Sequence, residues 1–405
     1  MNRVLFVNVA GEMGGAEISL LLLVRHLSGR FVPIVACPGP APLEVDSCPV
    51  RSRVLQTSNG ASRLLTGPGR LWQELTADGI EPQRLCKPPK RRYLSPGGFV
   101  YWLRASWTVL RILFRTRADI VHANSLHAGA VAVAGVVVMR KKLVVHARNL
   151  PNYAFGWRFV SRFCTEIVAV SEAVRSWLVE HNVDTAKITV VYNGLDNSVL
   201  HQDTGCGNRF YLPGPRRNNS FVFAHVGQFV PWKNQTGFIE AASRLARELP
   251  EARFLLVGDD IFGRDSRYKN DLLDRIKNSP IADKVSFLGW QKQMDCVWAK
   301  IDCLVHTAER EPFGRVVIEA MAHKVPVIAA DRCGPAEIIR NGRTGILFEP
   351  GDVEQLTEAM LKIARDRTFA AAIAQGAERQ VLSNFTADKT AAGIEQIYAR
   401  VLAAH

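Results

Sequence analysis

Residues 309–322 read Glu-Arg-Glu-Pro-Phe-Gly-Arg-Val-Val-Ile-Glu-Ala-Met-Ala, and their reading decides the fold. The apolar run Cys303-Leu-Val-His306 before them predicts a buried strand, and the apolar stretch after Gly314 predicts a helix. The Pro-Phe-Gly turn between the two therefore lies at the carboxyl end of a strand, where open α/β sheets bind ligands. Glycine at 314 lets the backbone approach a phosphate closely, and the N–H groups that open a helix suit an anion. Two carboxylates flank the turn, Glu311 before it and Glu319 inside the helix, from where Glu319 can hydrogen-bond sugar or ribose hydroxyls. A second glycine turn, Gly334-Pro-Ala-Glu337, follows the next expected strand, Val325–Ala330, and lines the same region; Glu337 supports the site rather than reacting.

Working outward, the same rhythm repeats towards both ends. Strands are predicted at Val4–Asn8, Val32–Cys37, Asp119–Ala123, Leu143–His146, Ile167–Val170 and Thr189–Tyr192, with helical stretches between them, the first at Ala16–Leu27. This alternation implies a parallel sheet covered on both faces. It stops near Asn193-Gly-Leu-Asp196, and residues 198–219, rich in Gly, Pro, Arg and Asn, read as a linker. A second series begins at Phe221 and runs through Arg253–Gly258, Val285–Gly289, Cys303–His306 and Val325–Ala330 to Gly345–Phe348. Two helices close the chain, Val353–Arg365 and about Ala387–Ala404. The expected organisation is an α/β protein of two Rossmann-like domains, 1–197 and 220–385, joined by 198–219, with a final helix at 386–405.

Bulk properties narrow the class. A chain of 405 residues is long enough for two domains, each with its own core. Hydrophobic content of 47% and a mean hydropathy of zero describe a globular protein. The longest apolar run, Ala128–Met139, is well short of the ~20 residues that span a bilayer. Met1–Asn8 reads as a first strand and lacks the apolar region and cleavage site of a signal peptide. Eight scattered cysteines, without a CxxC pair or metal-ligand spacing, are expected to be reduced thiols in a cytosolic protein. The net charge of +13 is uneven: Arg84 to Ala118 holds nine Lys or Arg and no Asp or Glu.

The 309–322 segment resembles the donor-site signature of the retaining, nucleotide-sugar-dependent glycosyltransferases with two Rossmann-like domains, the GT-B fold of family 4 (glycosyl transferases group 1). Further stretches carry the same resemblance. Val226-Gly-Gln-Phe-Val-Pro-Trp-Lys-Asn-Gln is similar to the family's first donor-domain turn; Lys233 falls on the diphosphate-binding lysine, and Gln228 stands where the family has an arginine. Asp119-Ile-Val-His-Ala-Asn is similar to the family's Asp-x-x-His-x-His, with His122 on the first histidine and Asn124 in place of the second. Gly11-Glu-Met-Gly14-Gly15 fits the acceptor-domain lip that meets the donor diphosphate, or else a plain strand–helix turn. Tyr192-Asn-Gly-Leu-Asp matches the strand-to-linker turn.

The resemblance implies a catalytic group of Lys233, Glu311 and Asn124, and donor contacts from Gly14, Gly15, Gln228, Lys233, Pro312, Phe313, Gly314 and Glu319. Arg148 and His127 would meet the acceptor or a phosphate; for Arg148 an interdomain salt bridge is the alternative. A lone His122 is a core histidine by default, Lys233 has a solvated surface lysine as its alternative, and Ser171 is first the N-cap of its helix. The family further implies a last helix that packs on the first domain, retention at the anomeric carbon, no metal and no cofactor beyond a nucleoside-diphosphate sugar as co-substrate. The expected function is sugar transfer to a glycan or lipid-linked acceptor in cell-surface polysaccharide assembly. The alternatives are a nucleotide-sugar-binding protein with weak or no transferase activity, and a two-domain epimerase or phosphorylase.

The basic segment has two readings. Arg84–Arg115, with Lys87, Lys90, Arg91 and Arg92 and an amphipathic stretch Phe99–Arg115, is either a covering helix with a solvated basic face or a rest on anionic headgroups. The second would place a cytoplasmic protein on the inner face of a membrane. Nucleic acid is excluded as the expected partner, because no recognition motif accompanies the charge.

Overall fold

The structure, a computed structural model, describes residues 1–10, 13–39, 69–87, 96–151, 155–196, 220–260, 263, 265–291 and 293–403. The expected linker at 198–219 and the basic residues Lys90, Arg91 and Arg92 lie outside the described residues. The chain divides into two compact units: Met1–Val170 with Val174–Val191 and Ala387–His405, and Ser171–Ala173 with Tyr192–Thr386.

The first unit runs β1 (Asn2–Val7), α1 (Gly15–His26), β2 (Phe31–Pro38), α2 (Arg70–Ala77), β3 (Gln83–Leu85), α3 (Pro96–Thr116), β4 (Ile120–Ala123), α4 (Leu126–Met139), β5 (Lys142–Ala147), α5 (Phe155–Val160), β6 (Glu166–Ala169), α6 (Glu172–Glu180) and β7 (Ile188–Val190). All seven strands pair in parallel in the order β3-β2-β1-β4-β5-β6-β7. Winding runs one way from β1 to β3 and the other way from β4 to β7, so the switch point lies between β1 and β4. Right-handed crossovers then put α1 and α2 on one face and α3, α4 and α5 on the other. Val4, Leu5, Phe6 and Val7 are fully buried, which is why these strands are near-continuous apolar runs.

The second unit runs β8 (Val222–Val226), α7 (Gln235–Glu248), β9 (Arg253–Val257), α8 (Ser266–Lys277), β10 (Val285–Gly289), α9 (Met294–Trp298), β11 (Cys303–His306), α10 (Arg315–Ala322), β12 (Val327–Ala330), α11 (Cys333–Ile338), β13 (Ile346–Phe348), α12 (Val353–Arg365) and α13 (Arg367–Asn384). Its parallel strands lie in the order β10-β9-β8-β11-β12-β13, with the switch point between β8 and β11. An aromatic cluster of Phe221, Phe223, Phe238 and Phe254 fills its core.

The closing helix α14 (Ala387–Ala403) belongs to the first unit. Ile394, Ile397, Tyr398 and Val401 enter the core beside α1, and His26 Nδ1 meets Asp388 at 2.7 Å.

Several elements depart from expectation. α13 was not expected; its alanine-rich sequence has little apolar contrast, and its burial comes from Ala370, Ile373, Ala374, Ala377 and Val381. β12 begins at Val327 rather than Val325, and Pro326 offers only its carbonyl, which accepts from Leu304 N at 2.9 Å. Cys37, Cys86, Cys164, Cys303 and Cys333 are free thiols, but Cys296 is disulfide-bonded, against the expectation of reduced thiols throughout. No described helix is long and apolar enough to cross a membrane.

Candidate functional site

At the switch point of the second unit, the chain leaves β8 through Gly227 and Gln228, makes a short 3-10 turn at Pro231–Lys233 and starts α7. Asn234 adopts φ 50° and caps α7, its Oδ1 accepting from Gly237 N at 3.0 Å. The Lys233 backbone is anchored from below: its carbonyl accepts from Thr307 Oγ1 at 3.0 Å and from His225 Nε2 at 3.2 Å. Its side chain is not the solvated lysine of the alternative reading. Lys233 is 8% exposed, its ammonium pairs with Glu311 Oε2, and it lies 4.7 Å from the Trp232 ring centroid.

Glu311 follows β11, in the loop before α10. Glu309 N donates to Trp232 O at 3.1 Å, and Asn234 Nδ2 to Glu309 Oε1 at 3.3 Å, so the loops after β8 and β11 are joined directly. Beneath the ion pair sit two histidines that sequence reasoning passed over. His306 Nε2 is 3.5 Å from Glu311 Oε2, yet neither of its ring nitrogens makes a hydrogen bond. His225 Nδ1 is also unpartnered. Burial pushes both imidazoles down to about 3, with Lys233 adding to the shift, so they are uncharged at neutral pH.

The turns around this pair require glycine. Gly314, the N-cap of α10, has φ 104°. A Cβ on Gly258, at φ 133°, would lie 1.9 Å from Gly227 O, and one on Gly334 would lie 2.2 Å from Phe313 O. Gly334 N instead donates to Glu311 O at 3.0 Å. Phe313 is buried against Tyr192 and Phe385, so it supports the turn. Pro312 O accepts from Ser171 Oγ at 2.6 Å, so the residue before α6 also ties down the Pro-Phe-Gly turn. The Glu337 carboxylate receives Glu172 N, Ala173 N and Tyr192 OH. Gln228 is half-buried at the same strand end. Glu319 is already engaged: its Oε1 accepts from Arg315 at 3.2 Å, and its crowded side chain, still 23% exposed, has its pKa raised by burial.

The switch point of the first unit is built differently. Arg148 Nε donates to Asn124 Oδ1 at 2.7 Å, and Asn124 Nδ2 donates to Asn8 Oδ1 at 3.0 Å and Ala16 O at 3.3 Å. Asn124 is 1% exposed with both ends of its amide occupied, so it holds Arg148 instead of facing a sugar, contrary to the catalytic role carried over from the family. Gly14 is extended (φ −119°), and its N–H is taken by Glu17 Oε2 at 3.0 Å. Neither Gly14 nor Gly15 has a positive φ, and Gly15 already begins α1. Glu17 and Asn8 were missed; the Gly14–Glu17 spacing of a capping box was the available signal. Burial raises the Glu17 pKa, with Arg148 opposing.

His122 is a core histidine. Its Nδ1 meets Tyr398 OH at 2.7 Å, its Nε2 meets His146 Nδ1 at 3.3 Å, and burial lowers its pKa to about 3. His127 lies on α4, stacked on Trp102 with ring centroids 6.2 Å apart. Among the described residues no group of three or more His, Cys, Asp or Glu is arranged to hold a metal ion.

The family model for glycosyl transferases group 1 matches residues 213–380, and that for glycosyltransferase family 4 matches residues 13–199. An N-acetyl-alpha-D-glucosaminyl L-malate synthase of Bacillus anthracis is 29% identical over 247 residues, 60% of this chain and 62% of that protein, so the match spans less than two thirds of the relative. A UDP-Gal:alpha-D-GlcNAc-diphosphoundecaprenol alpha-1,3-galactosyltransferase of Escherichia coli is 23% identical over 72% of this chain and 78% of its own length. Among solved structures, HepE of Anabaena, in complex with UDP and glucose, superposes with a TM-score of 0.77 at 23% identity over 98% of this chain and all of that one. Sucrose-phosphate synthase of Thermosynechococcus elongatus gives 0.78 at 18% identity over the full length of both, a likeness of fold. With both halves matched by glycosyltransferase models and the fold shared nearly end to end with such enzymes, the chain belongs to the group 1 glycosyl transferases of the GT-B fold.

Proposed function

We propose that this chain transfers a sugar from a nucleoside diphosphate to a glycan or lipid-linked acceptor in cell-surface polysaccharide assembly, with retention at the anomeric carbon and without a metal ion. The observation that carries this reading is the buried Lys233–Glu311 pair at the switch point of the second unit, set among turns only glycine can make. Relatives support it: they include a capsular polysaccharide biosynthesis glycosyltransferase of Staphylococcus aureus and a lipopolysaccharide core biosynthesis mannosyltransferase of Rhizobium leguminosarum. Structures of HepE hold UDP and UDP-glucose.

In this reading the bond between the anomeric carbon and the diphosphate oxygen breaks, and its electron pair leaves with the phosphate. An acceptor hydroxyl oxygen bonds to the same carbon and its proton passes to the departing phosphate. The Lys233 ammonium and the start of α10 offset the charge that develops, and Glu311 holds the lysine in place beforehand. Glu319 and Gln228 contact the donor, while Arg148, positioned by Asn124, and His127 face the acceptor side. The protein works in the cytoplasm, at the inner face of a membrane.

The test is a panel of uridine, guanosine and thymidine diphosphate sugars followed by thermal unfolding and by donor hydrolysis. A donor at ~100 times its Kd stabilises the folded state by about 2.7 kcal/mol. Hydrolysis of that donor, lowered about a hundredfold by Lys233→Ala, is the expected result. No stabilisation by any donor overturns the proposal; stabilisation without hydrolysis or transfer makes the protein a nucleotide-sugar binder.

A further inference from the structure

As a covering helix with a solvated basic face, α3 would keep its large apolar residues covered, but the structure exposes several of them beside the arginines. The helix buries Tyr101, Ala105, Val109, Ile112 and Leu113 against its own unit. On its open side Phe99 is 64% exposed, Leu103 56%, Trp107 61% and Phe114 71%. At about 100° per residue these four fall within an arc of about 80°, and Arg111, Arg104 and Arg115 occupy the next ~40°. An α-helix with one apolar arc in the core, a second in solvent and a guanidinium border between them has the form of a helix lying in a membrane interface. Isolated exposed apolar residues are ordinary, but four large ones on a single stripe mark an interaction site.

The surroundings continue the pattern. α4 packs on both α3 and α5. It ends in the exposed Val137 and Val138, followed by Arg140 and Lys141. Phe159 and Phe163, at and just beyond the end of α5, are also exposed and alternate with Arg158 and Arg162. From Arg84 to Thr165 the chain carries fifteen Lys or Arg and one acidic residue, Asp119. That carboxylate is engaged at the far end of the helix, where its Oδ2 accepts from Arg3 N at 2.8 Å.

From this geometry we infer that the open face of α3 is an interfacial membrane anchor: Phe99, Leu103, Trp107 and Phe114 enter the headgroup–acyl boundary while Arg104, Arg111 and Arg115 pair with anionic lipid. The charge selects the occupant. A second copy of this chain docked on the same face would set these guanidinium groups against their like, and a neutral apolar partner would leave them without counter-charge. An anionic bilayer meets both the apolar arc and its basic border. The anchor deepens the membrane placement in the proposed function, but it uses none of the residues assigned to sugar transfer, so either reading can fail alone.

Sedimentation of the full chain with vesicles of phosphatidylcholine, alone or mixed with phosphatidylglycerol, tests the inference. The wild type is expected to bind the anionic vesicles, with an affinity that falls as salt rises. Changing Phe99, Leu103, Trp107 and Phe114 together to Ser should weaken that binding by tenfold or more, since burying one such side chain is worth about tenfold. Arg104→Gln, Arg111→Gln and Arg115→Gln together should abolish the preference for anionic over neutral vesicles. All seven positions are exposed, and an unchanged thermal midpoint verifies folding for each variant. Failure of the wild type to bind anionic vesicles overturns the inference, as does aromatic-to-Ser binding equal to wild type. Binding to single-stranded polynucleotide in place of vesicles would assign the face to nucleic acid instead.

Discussion

The two switch points share one topology and spend it differently. In the first unit, the ends of β1 and β4 carry side chains that satisfy one another: Asn8, Asn124 and Arg148 form one hydrogen-bonded chain, and Glu17 caps Gly14. In the second unit, the ends of β8 and β11 carry a buried ion pair over two imidazoles with unused hydrogen-bonding nitrogens. A cluster whose side chains occupy one another stiffens a scaffold, whereas a buried ion pair beside imidazoles with unmet capacity is where a ligand gains most on binding. The fold supplies an address at each switch point, and the side chains decide which of the two is chemically poised.

Acid is the strongest probe of what the two units share. Each unit holds two buried histidines with depressed pKa values, His122 and His146 in the first, His225 and His306 in the second. In the unfolded chain these side chains protonate near 6.5; in the fold, His122, His225 and His306 do so only near 3. Between those values the unfolded chain binds more protons, so stability falls as pH drops through the window, by on the order of 1 kcal/mol per histidine for each pH unit. Urea unfolding at pH 7 and pH 5 should show both units weakened; an acid-insensitive unit would break the likeness.

Glycine substitutions should separate the units next. Gly258→Ala drives a Cβ into the Gly227 carbonyl, and the expected cost, on the order of 4 kcal/mol or more, leaves the second unit largely unfolded. Gly14→Ala meets only Glu17 Oε2, at 3.3 Å with φ −119°, and should stay within about 0.5 kcal/mol. Circular dichroism melts of the two variants would read the contrast, and equal losses would mean that both lips depend on glycine.

The polar clusters give the third comparison. Lys233→Ala strands the Glu311 carboxylate in a mostly dry site and should destabilise the second unit by about 3–5 kcal/mol. The Lys233→Ala, Glu311→Ala double variant should recover part of that loss. Asn124→Ala removes one amide from the first network and with it one of the acceptors of Arg148, a smaller cost of about 1–3 kcal/mol. A double variant no better than Lys233→Ala alone would show that the pair is not coupled in the fold.

Much of this protein is legible in its sequence, and the reason is local. Strands such as Val4–Val7 and Cys303–His306 announce themselves because a parallel strand buried on both faces must be apolar throughout. Gly314 marks its turn because the backbone there needs positive φ, a demand that the residue itself satisfies. From such signals the alternating elements, the two Rossmann-like halves and the strand ends that could carry chemistry all follow. α13 escaped because alanine carries little periodic contrast.

The tertiary structure alone decided which polar groups meet. Lys233 reads as a diphosphate-binding lysine by its resemblance, but only the fold brings Glu311, 78 residues away, against it. Asn124 reads as a sugar contact until Asn8, Ala16 and Arg148 occupy its amide. Trp107 and Phe114 belong to an amphipathic stretch in the sequence, and only packing, by assigning Tyr101, Val109 and Leu113 to the core, leaves them in solvent. Backbone conformation is chosen by neighbours along the chain, but desolvation and pairing are set by neighbours in space.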